Sequence, residues 1–526
     1  MKTIIESSDF PGRYRAKANG GMVAAAHHKA ADAGREMLAE GGNAIDAAVA
    51  AAFALGVCEP AASGIGGQSM LVIYEKKSGR KIALDGSSRA PFRIVPGSLS
   101  EDERFYGHRA TTVPSTPAVL DYALRTFGSM PLSRVLEPAI RLAEEGFEFS
   151  ALQHRLCLKA LERLRSGSGG RFFLSPEGEA IREGDLFRQP VLSRTLRRLA
   201  RKGIADFYQG NIAAEIVMDM KQNSGLIEAD DLAQIPWPIE RDPLSTLFGG
   251  REVMTIGPPA AGRALMEILN ILDTFRASKW DLETPEGALI FVEADRRAQI
   301  DRRDQPFDPH LFPQVPARKM LSKNRAEKIA EQISEKHNIL KGETTHLSAA
   351  DQQGNVVGLT QSIERVYGSC EASPELGFLY NNYVSTFETK DPVNPHYLRP
   401  NAVPWASVAP TIVFENDQPR VVLGSPGSER IVSAVAQVLE RLHHQEPFQA
   451  VDAPRLHCSP DGVVSLEADR MNPEIPGYLR HHGFKINALE PYSFFMGCVQ
   501  LVMMEGNDFI GVADPRRDGA ARGVNR

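Results

Sequence analysis

The chain has 526 residues, 42% of them hydrophobic and 24% charged, with a net charge of −6. That length allows a large buried core, and that balance excludes a disordered chain. An acidic net charge gives no reason to expect a nucleic acid partner.

Residues Met1 to Asp9 contain no apolar stretch of the secretory kind. Gly21 to His27 reads as a short buried strand, and Lys29 to Ala39 as a helix closed by Gly41-Gly42. Asn43 is placed to cap the next helix, Ala44 to Leu55, whose alanine-rich surface is apolar all round. The longest near-apolar run, Ala44 to Val57, holds Asp46 and is too short to cross a bilayer. No membrane partner is therefore expected, and a cytoplasmic location is. Ser63 to Gly67 is a tight glycine loop without the GxGxxG spacing of a nucleotide site. Gln68 to Tyr74 and Lys81 to Leu84 then pair across a Lys77-Ser78-Gly79 turn.

Pro117 to Phe275 reads as mainly helical, with clear apolar spacing over Leu132 to Glu145 and Val191 to Lys202. Ser166 to Gly184 reads as loop, and Pro285 to Arg303 as one long helix. The charged stretch from Arg318 to Lys341 reads as a solvated helix. Ser428 to Arg441 is a further helix, entered from the strand Arg420 to Leu423 through Gly424-Ser425-Pro426-Gly427.

Five cysteines (Cys58, Cys157, Cys370, Cys458, Cys498) are scattered without CxxC spacing, so reduced thiols packed as small hydrophobes are expected. The pairs His27-His28, His443-His444 and His481-His482 lack metal-ligand spacing, and no catalytic metal is expected. Glu101-Asp102-Glu103 reads as a solvated loop.

The segment Glu343-Thr344-Thr345-His346 carries the chemistry. His346 to Asp351 and Val356 to Thr360 read as a hairpin turned by Gln353-Gly354-Asn355. A threonine inside a chain is a weak nucleophile. Freed as a new N-terminus, it gains an α-amino group of pKa roughly 7.7–8.0 beside its own hydroxyl. The Gly424 to Arg430 turn opens a helix, and unpaired N–H groups at such a place can hold an oxyanion. It lacks the lysine of a phosphate-binding loop.

Six segments, in order, resemble the γ-glutamyltranspeptidase family over nearly the whole chain. They are Gly41 to Ala50, Ser63 to Gly67, Glu137 to Gly146, Thr344 to His346, Ser425 to Gly427 and Ala513 to Ala520. The resemblance implies an α/β (α+β) fold, a four-layer αββα sandwich of the N-terminal-nucleophile hydrolases. It implies self-cleavage before Thr344, so that 1–343 and 344–526 form one composite domain from two fragments of one precursor, with no cofactor. Each fragment is then the other's partner, with a dimer of heterodimers as a further assembly to consider. Thr344 would be the nucleophile. Ser362 stands where the family usually has a threonine bonded to that nucleophile, with Thr360 two residues earlier on the same strand face. The amides of Gly427 and Ser428 would form the oxyanion hole, Ser428 replacing the second of two glycines.

The acyl pocket departs from the family pattern. The arginine after Leu84-Asp85 comes two residues late, at Arg89; the serine pair is Ala406-Ser407; the asparagine is Glu364. The glutamine and aspartate after Asn381-Asn382 are Tyr383 and Thr386. Arg89, Glu364, Arg365, Asn382, Tyr383 and Ser407 are therefore the candidate substrate-binding residues. Such a rebuilt pocket is similar to the family's oxamate amidohydrolase branch, which acts on a small amide bearing a carboxylate. γ-Glutamyl hydrolysis or transfer on glutathione-like substrates, cephalosporin-type acylase activity and a metabolite-binding homologue without turnover are the alternatives.

Overall fold

The computed structural model describes residues 12–234, 238–275, 281–304, 322–323, 343–394 and 396–525. Two antiparallel sheets of seven strands each lie face to face. From edge to edge the first runs Ala520–Val524, Gly21–Ala25, Glu343–Asp351, Val356–Glu364, Gln68–Glu75, Arg80–Gly86 and Ile239–Arg241. The second runs Arg15–Ala18, Asp508–Ala513, Gln500–Glu505, Gln418–Gly424, Thr411–Glu415, Arg251–Thr255 and Leu244–Phe248. Both sheets combine strands from before and after Thr344, and Gly21–Ala25 hydrogen-bonds on each side to a later strand.

Successive side chains of a strand point to opposite faces, and here both faces are covered. Met70 and Val72 point between the sheets, where they meet Met254, Ile412, Val422 and Val502. Leu71 and Ile73 point outward to the helices His28–Ala39 and Ala44–Cys58. The second sheet is covered by Gly262–Thr274 and Arg430–Arg441. This is the four-layer αββα sandwich.

Helix Ala44–Cys58 starts as expected. Asn43 Oδ1 accepts from the amides of Ile45 and Asp46, and Asp46 answers on the Asn43 amide at 2.8 Å. This reciprocal cap explains the lone charge in the apolar run. Asp46 also accepts from the Ser129 and Met130 amides, so the buried carboxylate is fully hydrogen-bonded. All five cysteines are free and buried.

One expectation is corrected. The stretch read as mainly helical up to Phe275 contains Ile239–Arg241, Leu244–Phe248 and Arg251–Thr255. Leu244–Phe248 ends its sheet and stays partly exposed, so its apolar pattern is weak. The charged run 318–341, apart from residues 322–323, lies outside the described residues, as does Met1 to Asp9. Among the described residues no helix is long and apolar enough to cross a membrane.

Candidate active site

Thr344 sits at the start of the Glu343–Asp351 strand, in the middle of the first sheet, and is buried. Register with Val356–Glu364 slips here: Glu343 pairs with Glu364, but Thr345 pairs with Gln361. The extra residue on the partner strand is a bulge opposite Thr344, and Glu364 takes it up with φ +79°. A bulge re-aims side chains beside a site. Ser362 lies within it, its Oγ accepting from the Glu364 amide at 2.8 Å.

Residues without a sequence-assigned role hold the backbone at Thr344. Arg517 Nη1 donates to the Thr344 carbonyl at 2.9 Å. Thr345 Oγ1 donates to Glu59 Oε2 at 2.5 Å, and Glu59 Oε1 lies 3.8 Å from Arg517 Nη1. The Arg517 guanidinium also lies 4.3 Å from the Phe494 ring centre. Glu59 follows helix Ala44–Cys58 and Arg517 lies near the C-terminus, so one buried charge pair joins both ends of the fold to Thr344 and Thr345. Arg517 belongs to a motif that carries the family resemblance, which was the available signal; its contact with Thr344 is too distant in sequence to read.

On the opposite face of this strand, His346 fills the gap between the sheets. Its Nδ1 is 2.8 Å from Thr360 Oγ1 and its Nε2 3.1 Å from Ser348 Oγ, which donates to the Gln500 carbonyl. Thr360 is thus engaged with His346. Burial holds His346 down to about 3, so the ring is neutral. The ring presses on Gly424: a Cβ there would come 2.4 Å from His346 Cε1.

Gly424 ends its strand and begins the glycine turn. Gly427 has φ +126°, a backbone suited to glycine. Ser428 has φ +56°, in the left-handed region open to a residue with a Cβ, so the departure from two glycines is accommodated. No acceptor among the described residues meets the Gly427 amide. Ser425 braces the turn, its Oγ accepting from the Cys498 amide at 2.8 Å and donating to the Pro426 carbonyl at 2.7 Å.

The substrate-binding candidates fall into two groups. Tyr383 is buried, and burial followed by the charge of Glu364 raises its phenol; Ser362 and Gln68 bond to it. Glu364 is half-buried beside it. Ser407 Oγ accepts from Arg302 Nη2 at 3.2 Å. These residues gather on one side of Thr344. Asn382 is engaged with backbone: its Oδ1 accepts from the Arg365 amide and its Nδ2 donates to the Phe105 carbonyl. The Arg365 guanidinium stacks 4.1 Å from the Phe105 ring centre. Arg89 is half-buried and bridges Val113 through its backbone. Thr386 Oγ1 donates to the Tyr383 carbonyl, and Ser87 Oγ to Asp85. Arg302 is the residue sequence reasoning missed: burial lowers it to about 10, against the raising charges of Glu429 and Glu364. Among the described residues no cluster of His, Cys, Asp and Glu is built to hold a metal.

Comparison with known proteins agrees with this architecture. The profile of the gamma-glutamyltranspeptidase family matches residues 30–524. The glutathione hydrolase proenzyme of Escherichia coli K12 is 32% identical, covering 95% of this chain and 91% of that protein. The acylase ACY 1 proenzyme of Pseudomonas sp. strain V22 is also 32% identical, covering 85% of this chain and 84% of its own. The crystal structure of cephalosporin acylase from Bacillus halodurans superposes with a TM-score of 0.90 at 28% identity, covering 100% of this chain and 99% of that one. The chain is therefore an enzyme of the γ-glutamyltranspeptidase family with the N-terminal-nucleophile hydrolase fold.

Proposed function

We propose that the chain cuts itself between Glu343 and Thr344 and then hydrolyses a small amide that bears a carboxylate, of the oxamate type. The observation that carries the first half is Thr344 itself. It stands at the start of its strand opposite a bulge, its carbonyl is held by Arg517, and the Gly427 turn borders the same inter-sheet region through Gly424 and His346.

In the precursor, Thr344 Oγ1 attacks the Glu343 carbonyl carbon. The peptide C–N bond breaks, an ester to Oγ1 forms, and its hydrolysis leaves a free α-amine on Thr344 and a carboxylate on Glu343. In the mature enzyme that amine takes the Oγ1 proton as Oγ1 adds to the substrate carbonyl. The Gly427 and Ser428 amides stabilise the oxyanion. Collapse expels ammonia or an amine carrying the proton, and water releases the acid from the acyl-threonine. Ser362 supports the bulge that presents Thr344, and Thr360 acts at one remove through His346. Segments 1–343 and 344–526 stay together because their strands interleave.

The second half rests on the acyl pocket. A γ-glutamyl group needs a partner for its ammonium, and losing one costs on the order of 2–5 kcal/mol. The positions that supply it in the family hold Tyr383, which is buried, and Thr386, whose hydroxyl is turned to backbone. Ser87, where the carboxylate-gripping arginine belongs, is bonded to Asp85. Asn382, Arg365 and Arg89 shape the wall, while Tyr383, Glu364 and Ser407 define the acyl side. A second reading, an acylase of the cephalosporin type, is favoured by the close superposition on such an enzyme. Steady-state assays of purified enzyme on oxamate, a glutaryl amide and a γ-glutamyl anilide separate the readings. Oxamate is expected to have the highest kcat/KM, and a γ-glutamyl anilide turned over at micromolar concentration would overturn the proposal.

A further inference from the structure

A recess is lined by Pro258, Pro259, Arg263, Arg302, His396 and Trp405. Arg263 and Arg302 come from different helices, Gly262–Thr274 and Pro285–Asp304, and are only 5% and 7% exposed. Arg263 Nη2 donates to the Asp301 carbonyl at 3.1 Å, and the two guanidinium groups face the same recess.

Arg302 is anchored at one corner. Its Nη2 donates to the Ala406 carbonyl at 3.0 Å and to Ser407 Oγ at 3.2 Å, and its guanidinium lies 4.3 Å from the Trp405 ring centre. No acceptor among the described residues meets its Nε or Nη1. Ser407 Oγ accepts from Arg302 and so keeps its own proton to donate. His396 lies edge-on to Trp405 at 5.4 Å, is 8% exposed, and has a buried Nδ1 without a hydrogen-bond partner. Burial and the two arginines hold this histidine down to about 4, so its neutral ring has one N–H to give. The acids whose charge reaches Arg302 are Glu429 and Glu364. Glu364 pairs with Glu343, the residue before Thr344, so Arg302 lies within electrostatic reach of the strand end beside Thr344.

We propose that Arg302, with Ser407 and His396, binds the carboxylate of the acyl group and so determines that the enzyme prefers an anionic amide to a neutral one. A guanidinium fork matches a carboxylate with two parallel N–H donors, and the Ser407 hydroxyl adds a third. Arg89 and Arg365 are then wall residues. This assignment rests on the amidohydrolase reading above and adds to it the group that recognises the substrate's charge.

The test uses the self-processed enzyme and pairs each acid amide with its uncharged diamide: oxamate with oxamide, succinamate with succinamide, glutaramate with glutaramide. In Arg302→Gln, kcat/KM for the acid amide is expected to fall about 100-fold, mostly through KM, with the diamide changed less than about threefold. Arg302→Lys keeps the charge without the fork and should recover about tenfold of that loss. A processed Arg302→Gln enzyme with the wild-type ratio of acid amide to diamide overturns the assignment and leaves the amidohydrolase reading standing. A wild type that never cuts before Thr344 overturns the underlying reading instead. Should Arg302→Gln fail to process, His396→Asn and Ser407→Ala carry the same comparison. Each is expected to narrow the preference about five- to tenfold, and an unchanged ratio in both overturns the assignment.

Discussion

The two sides of Thr344 are built differently. Toward Glu59 and Arg517 the polar groups close on one another: Thr345 on Glu59, and Arg517 on the Thr344 carbonyl. Toward Arg302 and His396 donors remain that nothing described accepts. The closed side fixes the reacting atoms, and such preorganisation leaves little room for change. Under the proposed function the open side is where a substrate completes the bonding, so substitution there changes what is bound before it changes what is done. Family chemistry with an altered acyl pocket is the expected product of that division.

The comparison breaks most severely at the nucleophile. Thr344→Ala should remain a single band of 57.6 kDa on a denaturing gel. Its amide hydrolysis should fall by more than about 1000-fold. Two bands from this variant would place the reactive residue elsewhere. Next in size, Arg517→Met leaves the Glu59 carboxylate buried without its cation and should cost about 3–5 kcal/mol of stability. The Arg517→Met, Glu59→Gln double variant should be less destabilised than the two single losses added together, measured by urea unfolding. Strict additivity would show that the pair is not coupled.

Gly424→Ala drives a methyl group against the His346 ring and should cost about 1–3 kcal/mol, with slowed processing. Wild-type Tm and processing rate in this variant would mean that the sheets separate freely at that point. The effect of the His346 ring is absent at neutral pH and shows itself only in acid. His346 falls from its ordinary 6.5 to about 3 on folding. The unfolded chain therefore takes up the proton first. The stability tied to this ring is complete above about pH 6.5 and is lost as pH falls toward 3, by up to about 1.4 kcal/mol per pH unit. His28 and His396, each held to about 4, titrate in the same sense. His346→Asn should make the fall of Tm with acid shallower without removing it, and an unchanged slope would show that the ring is hydrated.

Local chemistry in the sequence was readable where it was dictated by neighbours. Asn43 announces its helix and Gly354 the hairpin, because caps and turns act over a few residues. The strand Leu244–Phe248 escaped because an exposed edge does not need a strong apolar pattern. Arg302 escaped for a different reason: within a charged helical segment it looks like any solvated arginine. Only packing against Trp405 and Ser407 shows that it is buried. Glu59 and Arg517 meet across most of the chain, a contact that topology creates and no local pattern records.

The presence in each sheet of strands from both before and after Thr344 has a practical outcome. Once the proposed cut is made, unfolding would release two polypeptides, and their return would be a second-order encounter that slows with dilution. The uncut chain refolds as a single body at any concentration. Mature enzyme denatured in dilute solution should thus recover poorly, while Thr344→Ala protein treated identically should recover well.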